Sequence, residues 1–373
     1  MDLAAMHFRN QTDIYSEITG IKSQNPPNIS DLHLYIWTSL ILSIFTCGSF
    51  GNALTIISIF TTKKLRTHSN LLVMNMAVVD LLLSGIIYPM KVIIMLVHRS
   101  SSDDIPHSLC HYYGFLSVAL TFSSNMTSMS IALNRFCAIV YANKYYNLQR
   151  LPVLLLMILI PWIVPPAISA LGLMQRFANE SFALTEIGFC TFNLDLHNEE
   201  DNHFGFMMAV GIPGLFIPTI VIAVSYIAVY AKVRRVRQNL RRSIYCPLKK
   251  STDAELPTAE ASGFCMPLII RRFEHRVRGA RMMFICFSAF CITYYPAFII
   301  LSVAHELRSN ILIEQPPLLL WFFGLYFTGC CANPIIYAWM NADFRKAFRR
   351  LVCACLRRVQ HMDAGSQKVR AMI

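Results

Sequence analysis

Charged side chains are scarce in this sequence. Only 14% of its 373 residues are Asp, Glu, Lys or Arg, whereas 55% are apolar. Soluble domains carry about 25% charged residues, so the composition indicates a membrane protein. The sequence also lacks metal-ligand spacing, a glycine-rich phosphate loop and a hydrolytic triad, so we do not expect an enzyme. No internal repeat is evident, which disfavours a transporter built from two matching halves.

Seven apolar segments are each long enough to cross a bilayer, which takes about 20 residues. They cover approximately residues 35–60, 70–97, 108–140, 149–173, 205–232, 278–304 and 315–339. The sequence therefore predicts an all-α membrane protein, a seven-transmembrane helix bundle over residues 35–340. Residues 1–34 precede it without a secretory signal peptide, and residues 341–373 follow it.

Basic residues concentrate on one side of the predicted bundle. The first, third and fifth loops and the tail hold most of the 33 lysines and arginines. The positive-inside rule then predicts a multi-pass plasma-membrane protein with an extracellular N-terminus and a cytoplasmic C-terminus. The net charge of +12 matches anionic lipid and cytosolic partners and does not require nucleic acid. The third inner loop, residues 233–277, is predicted to be flexible between basic helical extensions.

Asparagines and cysteines support the same orientation. Asn10, Asn28 and Asn179 begin Asn-X-Ser/Thr triplets on the predicted outer face, where glycans are attached. Of the twelve cysteines, only Cys110 and Cys190 fall at that face, where a disulfide is stable, so we expect them to be bonded. Cys353 and Cys355 follow an amphipathic basic segment, a context typical of palmitoylation; the alternative is two reduced thiols.

Polar residues inside the spans are the informative ones. Asp80 lies midway along the second span, and an isolated carboxylate in hydrocarbon must be protonated, hydrated or paired with a cation. With the other motifs, it makes the chain resemble the rhodopsin-type (class A) G-protein-coupled receptors over residues 35–355. The matching motifs are Gly51-Asn52, NMAVVD ending at Asp80, Cys110 with Cys190, NRF at 134–136, Pro218 with Tyr226, Phe290 with Pro296, and NPIIY at 333–337. Residues 343–351 resemble the short amphipathic eighth helix of that family.

The resemblance implies a receptor that passes an extracellular signal to heterotrimeric G proteins and also meets arrestin and receptor kinases. It assigns the G-protein switch to Asn134, Arg135, Phe136, Tyr226, Arg276, Asn333, Pro334 and Tyr337. In the family, the switch arginine pairs at rest with an acid before it and often with a glutamate in the sixth span. Here Asn134 and Arg276 occupy those positions. We therefore expect raised ligand-free signalling, or compensation elsewhere, and expect Asn134→Asp to lower it.

Two further positions depart from the family pattern. Asp80 and Ser124 resemble part of its sodium pocket, but Gly329 stands where a third polar ligand is usual, so a sodium ion and a hydrated or protonated Asp80 both remain open. No other cofactor is expected. The family's Cys-Trp-x-Pro run reads Thr-Tyr-Tyr-Pro here, which places Tyr294 beneath the ligand pocket. A tryptophan is expected near residue 155, and Trp162 lies nearer the outer end.

The predicted ligand pocket is aromatic with few polar groups. Its residues are Lys91, Ser117, Thr121, Tyr294, Phe298, Phe323 and Phe327. Ser117 occupies the position of the aspartate that binds amines in aminergic receptors, so a simple cationic amine is not expected. Lys91 either receives a carboxylate or phosphate of the ligand or extends to the lipid headgroups.

These departures resemble melatonin receptors and the trapped-in-endoderm and moody orphan receptors. The Asn-Arg-Phe variant and the missing amine aspartate carry that resemblance. An ion channel or transporter, or a receptor that signals through arrestin alone, is the alternative function. A channel needs a continuous polar path, and Asp80 is the one charge found in the middle of the predicted bundle.

Overall fold

The computed structural model describes residues 30–100, 106–142, 145, 150–171, 182–184, 188, 190–192, 208–245, 260–306 and 316–370. The three predicted glycan acceptors, Asn10, Asn28 and Asn179, lie outside the described residues. Cys110 and Cys190 are bonded in a disulfide, as predicted. The bundle's two ends are called the disulfide end and, after Arg135 at the other end, the arginine end.

Eight long helices follow one another along the described parts of the chain. They are α1 (Asp31–Thr61), α2 (His68–Leu82 and Tyr88–Ser100, joined by the π-helical turn Leu83–Ile87), α3 (His107–Val140), α4 (Leu151–Ala170), α5 (the π-helical turn Ile212–Phe216 followed by Ile217–Tyr245), α6 (Glu260–Glu306), α7 (Pro316–Met340) and α8 (Ala342–Arg370). Two short strands, β1 (Phe182–Leu184) and β2 (Cys190–Phe192), pair antiparallel with Phe182 opposite Phe192.

Six of these helices are long and apolar enough to cross a membrane, and α3 is the remaining helix of the predicted seven. It is less apolar because it packs inside the bundle against α2, α4, α5 and α6. Buried hydroxyl and amide side chains line its middle, among them Ser124, Asn125 and Thr127. Its hydroxyls bond largely to carbonyls one turn back, for example Thr127 to Ser123 at 2.8 Å, which satisfies them without water.

The two π-helical turns are each contacted by a side chain of α3. The Tyr113 hydroxyl donates to the Ile87 carbonyl in the turn of α2, at 3.2 Å. The Asn125 amide donates to the Gly214 and Leu215 carbonyls in the turn of α5, at 3.1 Å each. A π turn leaves backbone carbonyls poorly paired, so these two side chains stabilise turns that the hydrophobic pattern does not reveal.

Three helices are longer than the sequence predicted. The predicted loop 233–277 is helical over 233–245 and 260–277, and the short eighth helix extends to Arg370. The added segments are rich in Arg, Leu and other good helix formers, which favour continued helix outside the bundle. An ion pair at 3.1 Å between Arg237 and Glu274 also joins the extensions of α5 and α6.

Candidate functional site

A cavity of about 100 Å³ opens between the helices near the disulfide end. It is lined by Lys91, Gly114, Ser117, Val118, Thr121, Phe122, Phe182, Cys190, Leu215, Tyr294, Ala297, Phe298, Phe323, Tyr326 and Phe327. All seven residues that the sequence predicted for the ligand pocket are among them.

Lys91 lies inside this cavity, and only 4% of it is exposed. Its ammonium nitrogen is 4.3 Å from the centroid of the Phe323 ring and 5.5 Å from that of Phe327. Such distances allow cation–π attraction, which offsets part of the cost of burying the charge. The side chain therefore faces aromatic rings of α7 and does not extend to the headgroups.

The β-hairpin covers the cavity beside the disulfide. Phe182 of β1 is almost fully buried, and its ring lies against Gly114 of α3. A Cβ atom at position 114 would lie 2.5 Å from Cδ1 of Phe182, so only glycine permits this approach. The Cys110–Cys190 bond ties β2 to the first turns of α3, which holds the hairpin over the site.

Sequence reasoning missed several lining residues, including Tyr326 and Phe182. The Tyr326 hydroxyl lies 2.5 Å from Oγ1 of Thr121, which also donates to the Ser117 carbonyl at 2.8 Å. The spacing of Tyr326 from Phe323 and Phe327 places all three on one face of α7, a signal that would have found it. Phe182 comes from a hairpin whose position depends on the disulfide, and local sequence carries no such signal.

Tyr294 forms the floor of the cavity. Its ring stacks on Phe290 at 4.2 Å between centroids and is tilted against Tyr326 at 4.4 Å. Gly329 of α7 faces it, and a Cβ there would lie 2.4 Å from Cε2 of Tyr294. The ring of Tyr294 in α6 therefore needs the missing side chain of Gly329 in α7. From the sequence, these two residues are unrelated departures from the family pattern.

Asp80 joins three helices below this floor. Its Oδ1 accepts a hydrogen bond from Ser124 of α3 at 3.0 Å, and its Oδ2 accepts one from Asn333 of α7 at 2.8 Å. Both oxygens thus have a protein donor. The residues fit a sodium ion poorly, because Gly329 offers no side-chain oxygen and the Tyr294 ring fills the space in front of it.

At the arginine end, Asn134 bonds to neighbours other than Arg135. Its amide donates to the Ser69 hydroxyl at 2.9 Å, and its carbonyl oxygen accepts from the Tyr145 hydroxyl at 3.1 Å. Arg135 packs against Gly279 of α6, and its buried Nε has no hydrogen-bond partner among the described residues. Among all the described residues of the chain, the ion pairs are Arg99–Asp31 and Arg237–Glu274. Arg135 is therefore paired with no described acid.

Arg276 instead ties α6 to α3. Its Nη1 donates to the Ala138 carbonyl at 3.0 Å, and its guanidinium carbon lies 5.7 Å from the centroid of the Tyr145 ring. A cation near the last carbonyls of a helix is favourable, since those carbonyls carry partial negative charge. Next to Arg135, Phe136 packs edge-on against Tyr141 at 5.5 Å.

The two predicted switch tyrosines lie beside Arg135. Both Tyr226 and Tyr337 are close enough to interact electrostatically with its guanidinium. Tyr226 packs edge-on against Phe284 at 5.4 Å, and Tyr337 stacks on Phe344 of α8 at 5.4 Å. Pro334 lies inside α7, between Asn333 and this tyrosine. Tyr226 and Tyr337 thus lie with Arg135 at the arginine end, whereas Asn333 bonds to Asp80 below the cavity floor.

The expectation of a tryptophan near residue 155 of the fourth span, with Trp162 nearer the outer end, was wrong. Nε1 of Trp162 donates to Oδ1 of Asn75 in α2 at 2.7 Å, so the tryptophan faces inward and joins the two helices. α4 spans Leu151–Ala170, which places Trp162 near its middle and not near its end. The sequence estimate failed because the run of leucines hides the register of α4 and the partner of Trp162 lies in another helix.

Comparison with known proteins decides the family. The family model described as "7 transmembrane receptor (rhodopsin family)" matches residues 51–337. The chain belongs to this family. The receptor is therefore not an enzyme but a multi-pass protein of the plasma membrane, as predicted.

Individual relatives agree with this assignment. Melatonin receptor type 1B-B of Danio rerio is 25% identical to the receptor over 86% of this chain and 82% of its own length. The 5-hydroxytryptamine receptor 7 of Xenopus laevis is 27% identical over 90% of this chain and 82% of its own length. The crystal structure of squid rhodopsin matches with a TM-score of 0.67 at 18% identity, covering 89% of this chain and 92% of that one, which shows a shared fold. The predicted likeness to melatonin receptors is confirmed; the likeness to the trapped-in-endoderm and moody receptors stays a prediction.

Proposed function

We propose that this receptor transmits the binding of an extracellular ligand to a heterotrimeric G protein. One observation carries the proposal: buried contacts join the cavity to the neighbourhood of Arg135. Thr121 and Tyr326 line the cavity, and the Tyr326 ring contacts Tyr294. Tyr294 belongs in turn to one packed cluster of buried side chains with Tyr226 and Tyr337, the tyrosines beside Arg135. A ligand that shifts the cavity walls can bias the packing at the arginine end through this path.

The orientation follows from chemistry at the two ends. Disulfides persist in oxidising compartments, so the Cys110–Cys190 end faces the extracellular side. The arginine end carries the basic extensions of α5 and α6, which the positive-inside rule assigns to the cytoplasm. The cytoplasmic partners proposed with the G protein are arrestin and receptor kinases, on the strength of the family, together with anionic lipid along the basic face of α8.

The cavity argues against a simple cationic amine as ligand. The relatives include receptors named for 5-hydroxytryptamine and octopamine as well as receptors named for melatonin, so their names do not decide the class of ligand. Among the described residues that line this cavity there is no Asp or Glu, and Ser117 stands where the amine aspartate is expected. A buried ammonium without a carboxylate partner is costly, so a cationic ligand is disfavoured.

We further propose that Asp80 acts as a hydrogen-bonded link between helices and not as a sodium ligand. Its two oxygens accept from α3 and α7, and the third family position provides no oxygen. Of the alternatives that the sequence left open, this proposal rejects the sodium ion. It assigns the receptor no resident cofactor.

Nucleotide exchange on purified receptor tests the main proposal. Receptor in lipid nanodiscs is incubated with each class of heterotrimeric G protein, and the rate of guanine-nucleotide exchange is measured with and without ligand libraries. Faster exchange than with empty nanodiscs supports the receptor function. Ion flux through receptor in sealed vesicles, with no exchange on any G protein, contradicts it and favours the channel or transporter. Arrestin recruitment without exchange favours the arrestin-only alternative.

Asn134→Asp is expected to lower ligand-free exchange. The new carboxylate can pair with the adjacent Arg135, and a gain of about 1.4 kcal/mol for the resting state corresponds to about tenfold less active receptor. Exchange is compared at equal amounts of folded receptor. Ser69→Ala is the matched control, since it removes the same Asn134 contact without adding charge. An unchanged or higher rate in Asn134→Asp contradicts the idea that the missing acid raises basal activity.

A further inference from the structure

We propose that a pocket between α1 and α2 at the arginine end binds one anionic phospholipid, with the Arg66 guanidinium on the phosphate of its headgroup. This α1–α2 pocket has a volume of about 390 Å³ and is lined by Ile59, Phe60, Arg66, Thr67, His68, Leu71 and Met74. It shares no lining residue with the cavity near the disulfide end, and the proposed receptor function does not require it. The orientation proposed above assigns the lipid to the cytoplasmic leaflet.

The first support is the depth of the α1–α2 pocket in the membrane. The spanning helix α1 ends at Thr61, and the second span begins at His68. The pocket is formed by the last residues of one span, the first residues of the next and the turn between them. Because spans end where the hydrocarbon core ends, the pocket lies at the level of the lipid headgroups.

The second support is charge. Arg66 and His68 line the α1–α2 pocket, and Lys63 and Lys64 are exposed in the turn that precedes them. The chain from residue 61 to residue 75 contains no Asp or Glu, and the basic helix α8 packs against the same turn. Clustered positive charge attracts a headgroup with net negative charge more strongly than one whose charges cancel.

The third support is the order of polar and apolar groups along α2. His68 lies at the start of this helix, and Leu71 and Met74 follow on the same face, further into the span. Ile59 of α1 adds a buried apolar side chain to this wall. The lining therefore changes from basic to apolar in the direction in which a phospholipid changes from headgroup to acyl chain, whereas a soluble phosphate has no use for the apolar part.

The fourth support is the fixed position of Arg66. Its Nε donates to the Phe60 carbonyl near the end of α1 at 3.0 Å, and its Nη2 donates to the same oxygen. The turn is held as well, since the Asn70 side chain donates to the Leu65 carbonyl at 2.9 Å and the Thr67 hydroxyl accepts from the Asn70 amide at 3.2 Å. A guanidinium has five N–H groups, so Arg66 can donate to a phosphate while it keeps these bonds.

Lipid binding to the purified full-length receptor tests the proposal. The receptor in a neutral detergent is titrated with dioleoyl phosphatidic acid or dioleoyl phosphatidylcholine, and native mass spectrometry records the fraction of receptor that carries one lipid. The chains are identical, so any difference is due to the headgroup. Half-saturation with the phosphatidic acid is expected at a concentration about tenfold lower. Glycerol 3-phosphate at the same concentration should not displace it; displacement would show a site for soluble phosphate and overturn the assignment to a lipid.

Variants assign the preference to the α1–α2 pocket. Arg66→Gln should abolish it, whereas Arg66→Lys, which keeps the charge without the planar fork, should retain part of it. Leu71→Trp should also abolish it, because the larger side chain fills the pocket and leaves every charge in place. Arg150→Gln is the matched control, since it removes the same charge from an exposed position at the same end, outside the pocket.

The melting temperature in the same detergent identifies folded protein, and Leu71→Trp decides the matter if Arg66→Gln does not fold. The proposal is overturned if the two lipids bind alike, or if the preference survives in Arg66→Gln or in Leu71→Trp. It is also overturned if Arg150→Gln lowers the preference as much as Arg66→Gln does, because the lipid would then be attracted by basic surface in general.

Discussion

At the scale of single residues, the departures of this chain from its family are compensated in pairs. Tyr294 replaces a larger ring system, and Gly329 lacks the side chain that would collide with it. Asn134 replaces an acid, and Ser69 and Tyr145 bond to its amide group in place of Arg135. Both departures are therefore accommodated by side chains from other parts of the chain.

Gly329→Ala is expected to destabilise the receptor by about 1–3 kcal/mol, since the added methyl group lies within 2.4 Å of the Tyr294 ring and must displace it. The melting temperature of the purified protein measures this. Tyr294→Leu should recover much of the loss in the double variant, so the two substitutions should be clearly non-additive. Gly85→Ala is the control, because the nearest atom to its new methyl group is at 3.4 Å. Additive losses would show that the two positions are independent.

At the scale of helices, the sequence predicted the features that depend on nearby residues and missed those that depend on contacts between helices. Hydrophobic runs and basic loops predicted the spanning segments, because both act through local composition. The π turns near Gly214 and Ile87 escaped prediction, because they are stabilised by Asn125 and Tyr113 of another helix. Trp162 was misplaced for the same reason: its partner, Asn75, lies in α2.

The candidate site likewise has residues that the sequence predicted and residues that it did not. Seven of its residues within the helices were predicted from family positions, and all seven line the cavity, whereas others such as Tyr326 were missed. Phe182 was not predicted, and the burial of Lys91 was left open. The first depends on a disulfide-held hairpin, and the second on the rings of α7, neither of which is encoded near the residue itself.

Palmitoylation of α8 is a prediction at the same scale. Cys353 and Cys355 are exposed on a helix with a basic, amphipathic pattern, which brings them to the headgroup region where acyl transfer occurs. In cells, the variant with serine at both positions should lose its hydroxylamine-sensitive palmitate label, and each single variant should keep about half. Cys47→Ser is the control, since Cys47 is exposed on α1 within a spanning segment. A label that survives in the double variant would exclude both cysteines as acceptors.

At the scale of the whole molecule, the contact between α6 and α3 at the arginine end bears on the proposed function. In the described residues Arg135 has no acidic partner, and a hydrogen bond from Arg276 to the Ala138 carbonyl joins α6 to α3. The same guanidinium lies over Tyr145, whose hydroxyl bonds to Asn134. A basic residue therefore performs the joining role that a glutamate has in the family. Under the proposed function, any separation of α6 from α3 on activation has to break this contact.

Arg276→Gln is accordingly expected to raise ligand-free nucleotide exchange. The hydrogen bond to a terminal helix carbonyl contributes about 1 kcal/mol to the arrangement in which α6 lies against α3, so its loss should raise exchange about fivefold. Arg278→Gln is the matched control, because it removes the same charge from an exposed position two residues along the helix. Arg276→Glu should act in the opposite direction to Arg276→Gln, since a carboxylate there can pair with Arg135. If both substitutions at position 276 shift exchange in the same direction, the resting contact is not the one seen here, and charge at this position does not set basal activity.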